Sequence, residues 1–267
     1  MKMVNGQQII QLFEEFAPKK YALEGDPIGL QIGTLNKPVH NVMIALDVLE
    51  EVVDEAIAND VDLIIAHHPI IFRPLKKLVT DNTNGRIVEK LIKHDIAVYA
   101  AHTNLDVTPG GVNDMLAQAL QLENIEVLSP TMEESSLGLG RIGTLKSDLT
   151  LEEFAKFVKE ALDAPGVRVV GDLTSKVRKV AVLGGDGNKY FSQAKFKGAD
   201  VYVTGDFYYH TAHDAMNMGL NIVDPGHNVE KVMKQGTADV LNEKCAEKQF
   251  DVRIFSSEID TNPFTFL

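Results

Sequence analysis

The chain has one cysteine, no tryptophan and no long apolar run. With Cys245 alone, no intrachain disulfide can form, and a thiolate-rich structural zinc site is excluded. Any metal here is held by nitrogen and oxygen, which suits zinc, manganese, iron, cobalt or magnesium. The longest apolar stretches fall far short of the ~20 residues that span a bilayer. MKMVNGQQII has neither a signal-peptide apolar stretch nor a small-residue cleavage site. A cytoplasmic protein with no membrane partner is expected. Positive charge is also in deficit: 26 Lys and Arg against 38 Asp and Glu, a formal net charge of −12. Nucleic-acid binding depends on Lys and Arg neutralising phosphates, so it is not expected. A small anionic substrate such as a nucleotide stays open, because a bound metal pair supplies local positive charge whatever the global balance. There is no P-loop, dinucleotide fingerprint or serine nucleophile elbow. GGDG (184–187) lacks the GxGxxG context and is expected to form a tight turn.

The 267 residues, 45 % of them hydrophobic, allow one large domain or two modest lobes. Strand-like runs at 41–48, 61–66 and 96–101 alternate with helical patterns at 50–60, 85–95 and 112–122. In the second of these helices Ile87, Val88, Leu91 and Ile92 are expected to face inward. The β-α-β-α alternation predicts an α/β fold with a parallel sheet. The polar segment 129–140 interrupts it and divides the chain into lobes 1–128 and 129–267, the C-terminal segment packing back on the first. Strands are expected again at 141–146, 167–172, 179–185, 199–206, 220–224 and 250–256. Thr150 and Glu153 form a capping box opening a helix over 151–162. Further helices are expected at 189–198, 209–219 and 229–248, the last interrupted at Gly236. The halves look alike: NVMIALD resembles KVAVLGGD, DVDLIIAHH resembles GADVYVTGD, and IAVYAAH resembles NIVDPGH. An internal duplication is the reading, with a cleft between two related lobes.

Metal-binding side chains follow the apolar runs. VDLIIA ends in His67 and His68. IAVYAA ends in His102, with Asp106 four residues on. LNIVDPG ends in His227, with Glu230 three residues on. In α/β sheets, ligands bind beyond the carboxyl ends of the strands. Adjacent residues on a regular strand point to opposite faces, but Pro69 ends regular pairing, so both His67 and His68 can turn to one site. Asp106, in a loop, can bridge two cations. His102 is a third ligand or a hydrogen-bonded partner of one. Asp47, Asp206 and Asp224 also end strands and could bind metal or orient ligands. His210 is expected in the pocket, in substrate contact or proton transfer, and His213 on the surface. The basic residues Arg73, Lys76, Lys77, Lys231 and Lys234 lie near the ligand motifs.

The HHP, HTNLD and DPGHNVE motifs, with EGDPIGLQIG, LGLGRIG, TGDFYYHTAHDA and SSEIDTNPF, resemble the NIF3-like proteins, the GTP cyclohydrolase 1 type 2 homologues. The likeness covers essentially the whole chain. It implies two similar α/β lobes with mainly parallel sheets, a dinuclear metal cleft between them and a homohexameric ring. It implies two divalent ions (zinc, manganese or iron) on His67, His68, Asp106, His227 and Glu230. His102 matches a position that is not uniformly a ligand in the family, and His102 and His210 are the candidates for proton transfer. The implied function is a metal-dependent hydrolase acting on a nucleotide or related heterocycle. The alternative is a non-enzymatic metal-binding ring that holds a partner protein or metabolite. Where the family often carries Trp-Asp-Asn, this chain has Glu24-Gly25-Asp26-Pro27, so no role for a tryptophan transfers. Some members insert a further domain between the lobes, for which this chain is too short.

Overall fold

A computed structural model describes residues 3–132 and 136–267. The chain forms two compact units, Met1–Leu105 with Met233–Thr261 and Asp106–Val232 with Asn262–Leu267. Among the described residues, no helix is long and apolar enough to cross a membrane.

The first unit begins with β1 (Val4–Asn5) and α1 (Gly6–Phe16). Asn5 and Gln8 make a reciprocal capping box, each side chain accepting from the other's backbone N–H. There follow β2 (Gly29–Ile32), β3 (Pro38–Val39), β4 (Asn41–Ala45), α2 (Glu50–Ala58), β5 (Leu63–Ala66), α3 (Thr83–Lys93), β6 (Ala97–Ala100) and the first residues of α4 (Thr103–Val107), whose Asp106 and Val107 belong to the second unit. β4, β5 and β6 run parallel, with Val42, Leu63 and Ala97 in one row. All four residues of β5 and of β6 are buried, as expected for strands covered on both faces. Met43, Ile64 and Val98 pack in one core with Val52, Val53 and Ala56 of α2 and Ile87, Val88 and Leu91 of α3. Ile92, expected inward, is 60 % exposed. The 3.6-residue period carries it past the edge of the buried stripe.

The second unit contains α5 (Val112–Ala119), β7 (Glu123–Pro130), β8 (Gly138–Thr150), α6 (Leu151–Ala161), β9 (Arg168–Val170), β10 (Lys176–Asp186), α7 (Phe191–Phe196), β11 (Val201–Gly205), α8 (Tyr209–Asn217) and β12 (Asn221–Asp224). Its sheet has the order β7-β8-β10-β11-β12-β9. Only the central β10-β11-β12 pairs are parallel; the flanking pairs are antiparallel. The Thr150–Glu153 capping box opens α6 as expected. The polar 129–140 segment begins in β7 and ends in β8, which pair as an antiparallel hairpin, and residues 133–135 lie outside those described. At Gly138 a Cβ would sit 2.1 Å from the Ser129 carbonyl oxygen, so the hairpin requires glycine there.

The chain then re-enters the first unit through α9 (Val232–Lys248) and β13 (Arg253–Ser256). β13 pairs parallel with β4, and the sheet order is β13-β4-β5-β6-β2. α9 runs unbroken through Gly236. A helical glycine costs about 1 kcal/mol relative to alanine, and the buried Met233, Thr237, Ala238, Leu241 and Cys245 on the same helix outweigh it.

The duplication expected from the motifs is visible in the connectivity. Each unit has three parallel strands in chain order, and beside the last of them an antiparallel strand that precedes all three in sequence, β2 on β6 and β9 on β12. The details repeat as well. Asp62 Oδ2 accepts the backbone N–H groups of His40 and Asn41 at the start of β4. Asp200 Oδ2 accepts those of Arg178 and Lys179 in β10.

Candidate metal centre

In the first unit, the backbone continues its β4 pairing past the end of β5: His67 N–H donates to Ala45 O and His68 N–H to Leu46 O. The next residue is Pro69, which cannot continue the ladder. The two imidazole rings nevertheless lie 5.0 Å apart, and His102, two residues beyond β6, lies 5.3 and 5.9 Å from them. One donor atom from each of His67, His68 and His102 falls within 4.8 Å of the others. These three residues therefore share one cluster.

Each ring is fixed through its Nδ1. His67 Nδ1 donates to Ala101 O at 2.9 Å, His68 Nδ1 to Asp47 Oδ1 at 2.7 Å, and His102 Nδ1 to Asp26 Oδ1 at 2.8 Å. Carbonyl and carboxylate oxygens only accept, so Nδ1 carries the proton and Nε2 of the neutral ring keeps a lone pair. Asp26 also receives Thr103 N–H at 2.9 Å and the Thr103 hydroxyl. Burial pushes its carboxyl up, but the bonds from His102 and Thr103 outweigh that and hold it below the usual carboxylate value. Phe72 stands edge-on to His102, centroids 6.3 Å apart.

In the second unit, Asp106 and Glu230 each place a carboxylate oxygen within 4.8 Å of the other's. Glu230 is 3 % exposed and Asp106 9 %. Asp106 sits in α4 rather than in a loop; a five-residue helix is too short to show a period. His227 and Glu230 open a single 3-10 turn, His227–Lys231, which brings His227 Nε2 to 3.1 Å from Glu230 Oε2. His227 Nδ1 donates to Asp206 Oδ2 at 2.8 Å. The Nε2 lone pair of a neutral ring would then face a carboxylate, an arrangement that becomes favourable when a proton or a cation lies between them. Asp206 adopts a left-handed backbone, φ 53°, unusual for a residue with a side chain.

Gly184 and Gly185, expected in a tight turn, instead end β10 and floor this cluster. A Cβ on Gly184 would lie 2.9 Å from Glu230 Oε1, and one on Gly185 2.8 Å from the same oxygen and 3.2 Å from His227 Nε2. Beyond them, Asp186 accepts from the Asn188 backbone and side chain and from the Tyr208 hydroxyl. Burial raises the Asp186 carboxyl, and these bonds together with nearby His227 bring it below its ordinary value.

The remaining candidates separate from these clusters. His210 and His213 are exposed on α8, their rings flanking Tyr209 edge-on. Arg73, Lys76 and Lys77 are exposed in the loop after the histidine pair. Lys231 is engaged by Asp163, and Lys234 donates to the carbonyls of Ser257 and Ile259. Asp224 pairs with Arg168 and accepts from Phe207 and Gly226 N–H groups. Sequence reasoning passed over Asp26 as an orienting group. The one available signal was a lone acidic residue between glycine and proline in EGDP.

The donors fit a divalent cation of nitrogen and oxygen preference. Four imidazoles, those of His67, His68, His102 and His227, have an oxygen acceptor at Nδ1, the arrangement that orients metal-binding histidines and makes them better ligands. Ligand atoms sharing one tetrahedral zinc lie roughly 3.3 Å apart given its bond lengths, close to the 3.1 Å between His227 Nε2 and Glu230 Oε2.

The same residues fall inside a long family match. A Bacillus subtilis protein named GTP cyclohydrolase 1 type 2 homolog is 49 % identical, with all of both chains covered; the alignment runs over 371 positions, so that relative carries a long segment absent from this chain. A Streptococcus pneumoniae protein of the same name is 44 % identical over 261 residues, covering 96 % of this chain and 97 % of its own. The crystal structure of a Bacillus cereus protein related to NIF3 superposes with a TM-score of 0.98 at 48 % identity, all of both chains being covered. The family model described as Duf34/NIF3 (NGG1p interacting factor 3) matches residues 4–263, and the chain belongs to that family.

Proposed function

We propose that the protein is a dinuclear metal-dependent hydrolase acting on a nucleotide or related anionic heterocycle, of the GTP cyclohydrolase kind. His67, His68, Asp106, His227 and Glu230 hold two divalent cations, zinc, manganese or iron. The observation carrying this reading is the set of four histidines held at Nδ1 by oxygen acceptors. The names of these relatives support the nucleotide as substrate. Bound divalent cations acidify water and polarise the electrophile.

The chain's own residues supply the rest. His102, oriented by Asp26 through Nδ1, takes and returns protons at Nε2. His210, exposed at the start of α8, contacts substrate arriving from solvent. Arg73, Lys76 and Lys77 attract the phosphates. The net reaction is hydrolytic opening of the purine imidazole ring with C8 lost as formate.

Protein loaded with manganese, zinc or iron and given GTP should release formate. Absence of turnover, with His67→Ala and Asp106→Asn indistinguishable from wild type, would overturn the cyclohydrolase reading. The family description as an interacting factor favours a second reading, a hexameric metal-stabilised ring that binds a partner protein or metabolite. In that case ligand substitutions disrupt assembly or binding while there is no catalytic rate to lose.

A further inference from the structure

We propose that Asn113 is a positioning residue that holds the two carboxylates of the second unit in register for a divalent cation; this rests on the metal reading above. Asn113 lies on α5 and is 1 % exposed. Both halves of its carboxamide are spent on backbone groups next to the ligands. Its Nδ2 donates to the carbonyl oxygen of Asp106 at 3.0 Å. Its Oδ1 accepts the N–H of Gly184 at 3.0 Å, and Gly184 is the floor against which the Glu230 carboxylate lies. One amide thus ties the backbone of one carboxylate to the surface supporting the other.

The helix carrying the amide is itself anchored. Asp114 receives Arg141 Nε and Nη2 at 2.6 and 2.7 Å and the Gly110 N–H at 2.7 Å. Arg141, 3 % exposed, also donates to the Gly138 and Gly140 carbonyls. A buried side-chain amide bonded at both ends to the backbone of other segments fixes relative position, and supporting groups around ligands typically change metal affinity about 10–100-fold.

The test is calorimetric titration of the metal-stripped full chain with manganese and zinc, alongside urea unfolding. Asn113→Ala removes both bonds. Asn113→Asp keeps the acceptor for Gly184 and sets an oxygen against the Asp106 carbonyl. Both should bind about 10–100-fold more weakly. Leu120→Ala, a fully buried position at the end of the same helix, should lose stability yet bind with wild-type affinity. Should Asn113→Ala and Asn113→Asp fail to fold, Asn113→Gln carries the test, because it keeps donor and acceptor but moves both by one methylene from the Asp106 carbonyl and the Gly184 N–H; its affinity must fall. Wild-type affinity in any folded Asn113 variant overturns the proposal. So does an equal loss in Leu120→Ala. A wild-type chain that binds neither ion defeats the metal reading itself, an outcome distinct from failure of the clasp alone.

Discussion

Replacing Asp26 by asparagine should expose how strongly His102 is held. The Asp26 side chain is 4 % exposed and accepts three donors: His102 Nδ1–H, Thr103 N–H and the Thr103 hydroxyl. An asparagine offers one acceptor oxygen, and its amino group would face a donor. At least one buried donor is then left without a partner, a loss of about 1–3 kcal/mol. Losing the charge-assisted character of the bond to His102 adds about 1 kcal/mol. The sum is about 2–4 kcal/mol, which at a urea slope of about 2 kcal/mol/M moves the midpoint down by about 1–2 M. The measurement is urea unfolding of wild type and Asp26→Asn in a chelator. Its pH dependence has a definite sign. The Asp26 carboxyl is depressed in the folded chain, so its contribution is complete above the unfolded carboxyl pKa of about 3.9. It is lost as pH falls through the lower folded value. The difference between the two proteins should be full at neutral pH and narrow in acid. A gap below about 0.5 kcal/mol at neutral pH, or one that stays constant on acidification, refutes the account, since surface substitutions without such bonds give as little.

Arg141→Ala leaves the Asp114 carboxylate half-buried without its guanidinium, and breaking a buried pair on one side costs about 3–5 kcal/mol; a urea midpoint near wild type would show that the pair is not what anchors α5. Asp206→Gly removes a side chain from a left-handed backbone, φ 53°, and also the acceptor for His227 Nδ1. It should raise thermal stability by up to about 1 kcal/mol while weakening zinc binding about 10–100-fold. Calorimetry with metal titration checks both, and an unchanged affinity would remove Asp206 from the orienting groups.

What could be read from the sequence and what could not follow from how each signal arises. VDLIIA and IAVYAA announce themselves because strands buried on both faces must be apolar throughout, and the histidines at their ends then stand out. β7 escaped notice because its burial runs from four exposed residues to three buried ones, without the alternation that marks a half-buried strand. Asp26, Asn113 and the Gly184-Gly185 floor carry no local pattern. Their significance lies in partners distant in sequence, such as the 71 positions separating Asn113 from Gly184. The expectation of a turn at GGDG used the right property, small size, for the wrong purpose: these glycines are small because a carboxylate lies on them.

That last point bears on why two units built alike hold different donors. Asn41 and Lys179 occupy the same place, each carbonyl accepting the N–H of the repeated aspartate, Asp62 or Asp200. Leu46 and Asp47 stand as far beyond Asn41 in sequence as Gly184 and Gly185 stand beyond Lys179, but β4 ends at Ala45 whereas β10 runs on to Asp186 with a register shift after Val182. In the first unit Asp47 is a full side chain that reaches His68, so that strand end supports an imidazole from the side. In the second unit a Cβ on Gly184 or Gly185 would crowd the Glu230 carboxylate, so the strand must be bare there. A duplicated scaffold thereby yields an imidazole-rich edge in one unit and a carboxylate-rich edge in the other. Gly184→Leu should therefore weaken zinc binding by the Asp106, His227 and Glu230 side chains while leaving the sheet intact, measured as lost zinc binding with unchanged far-ultraviolet circular dichroism.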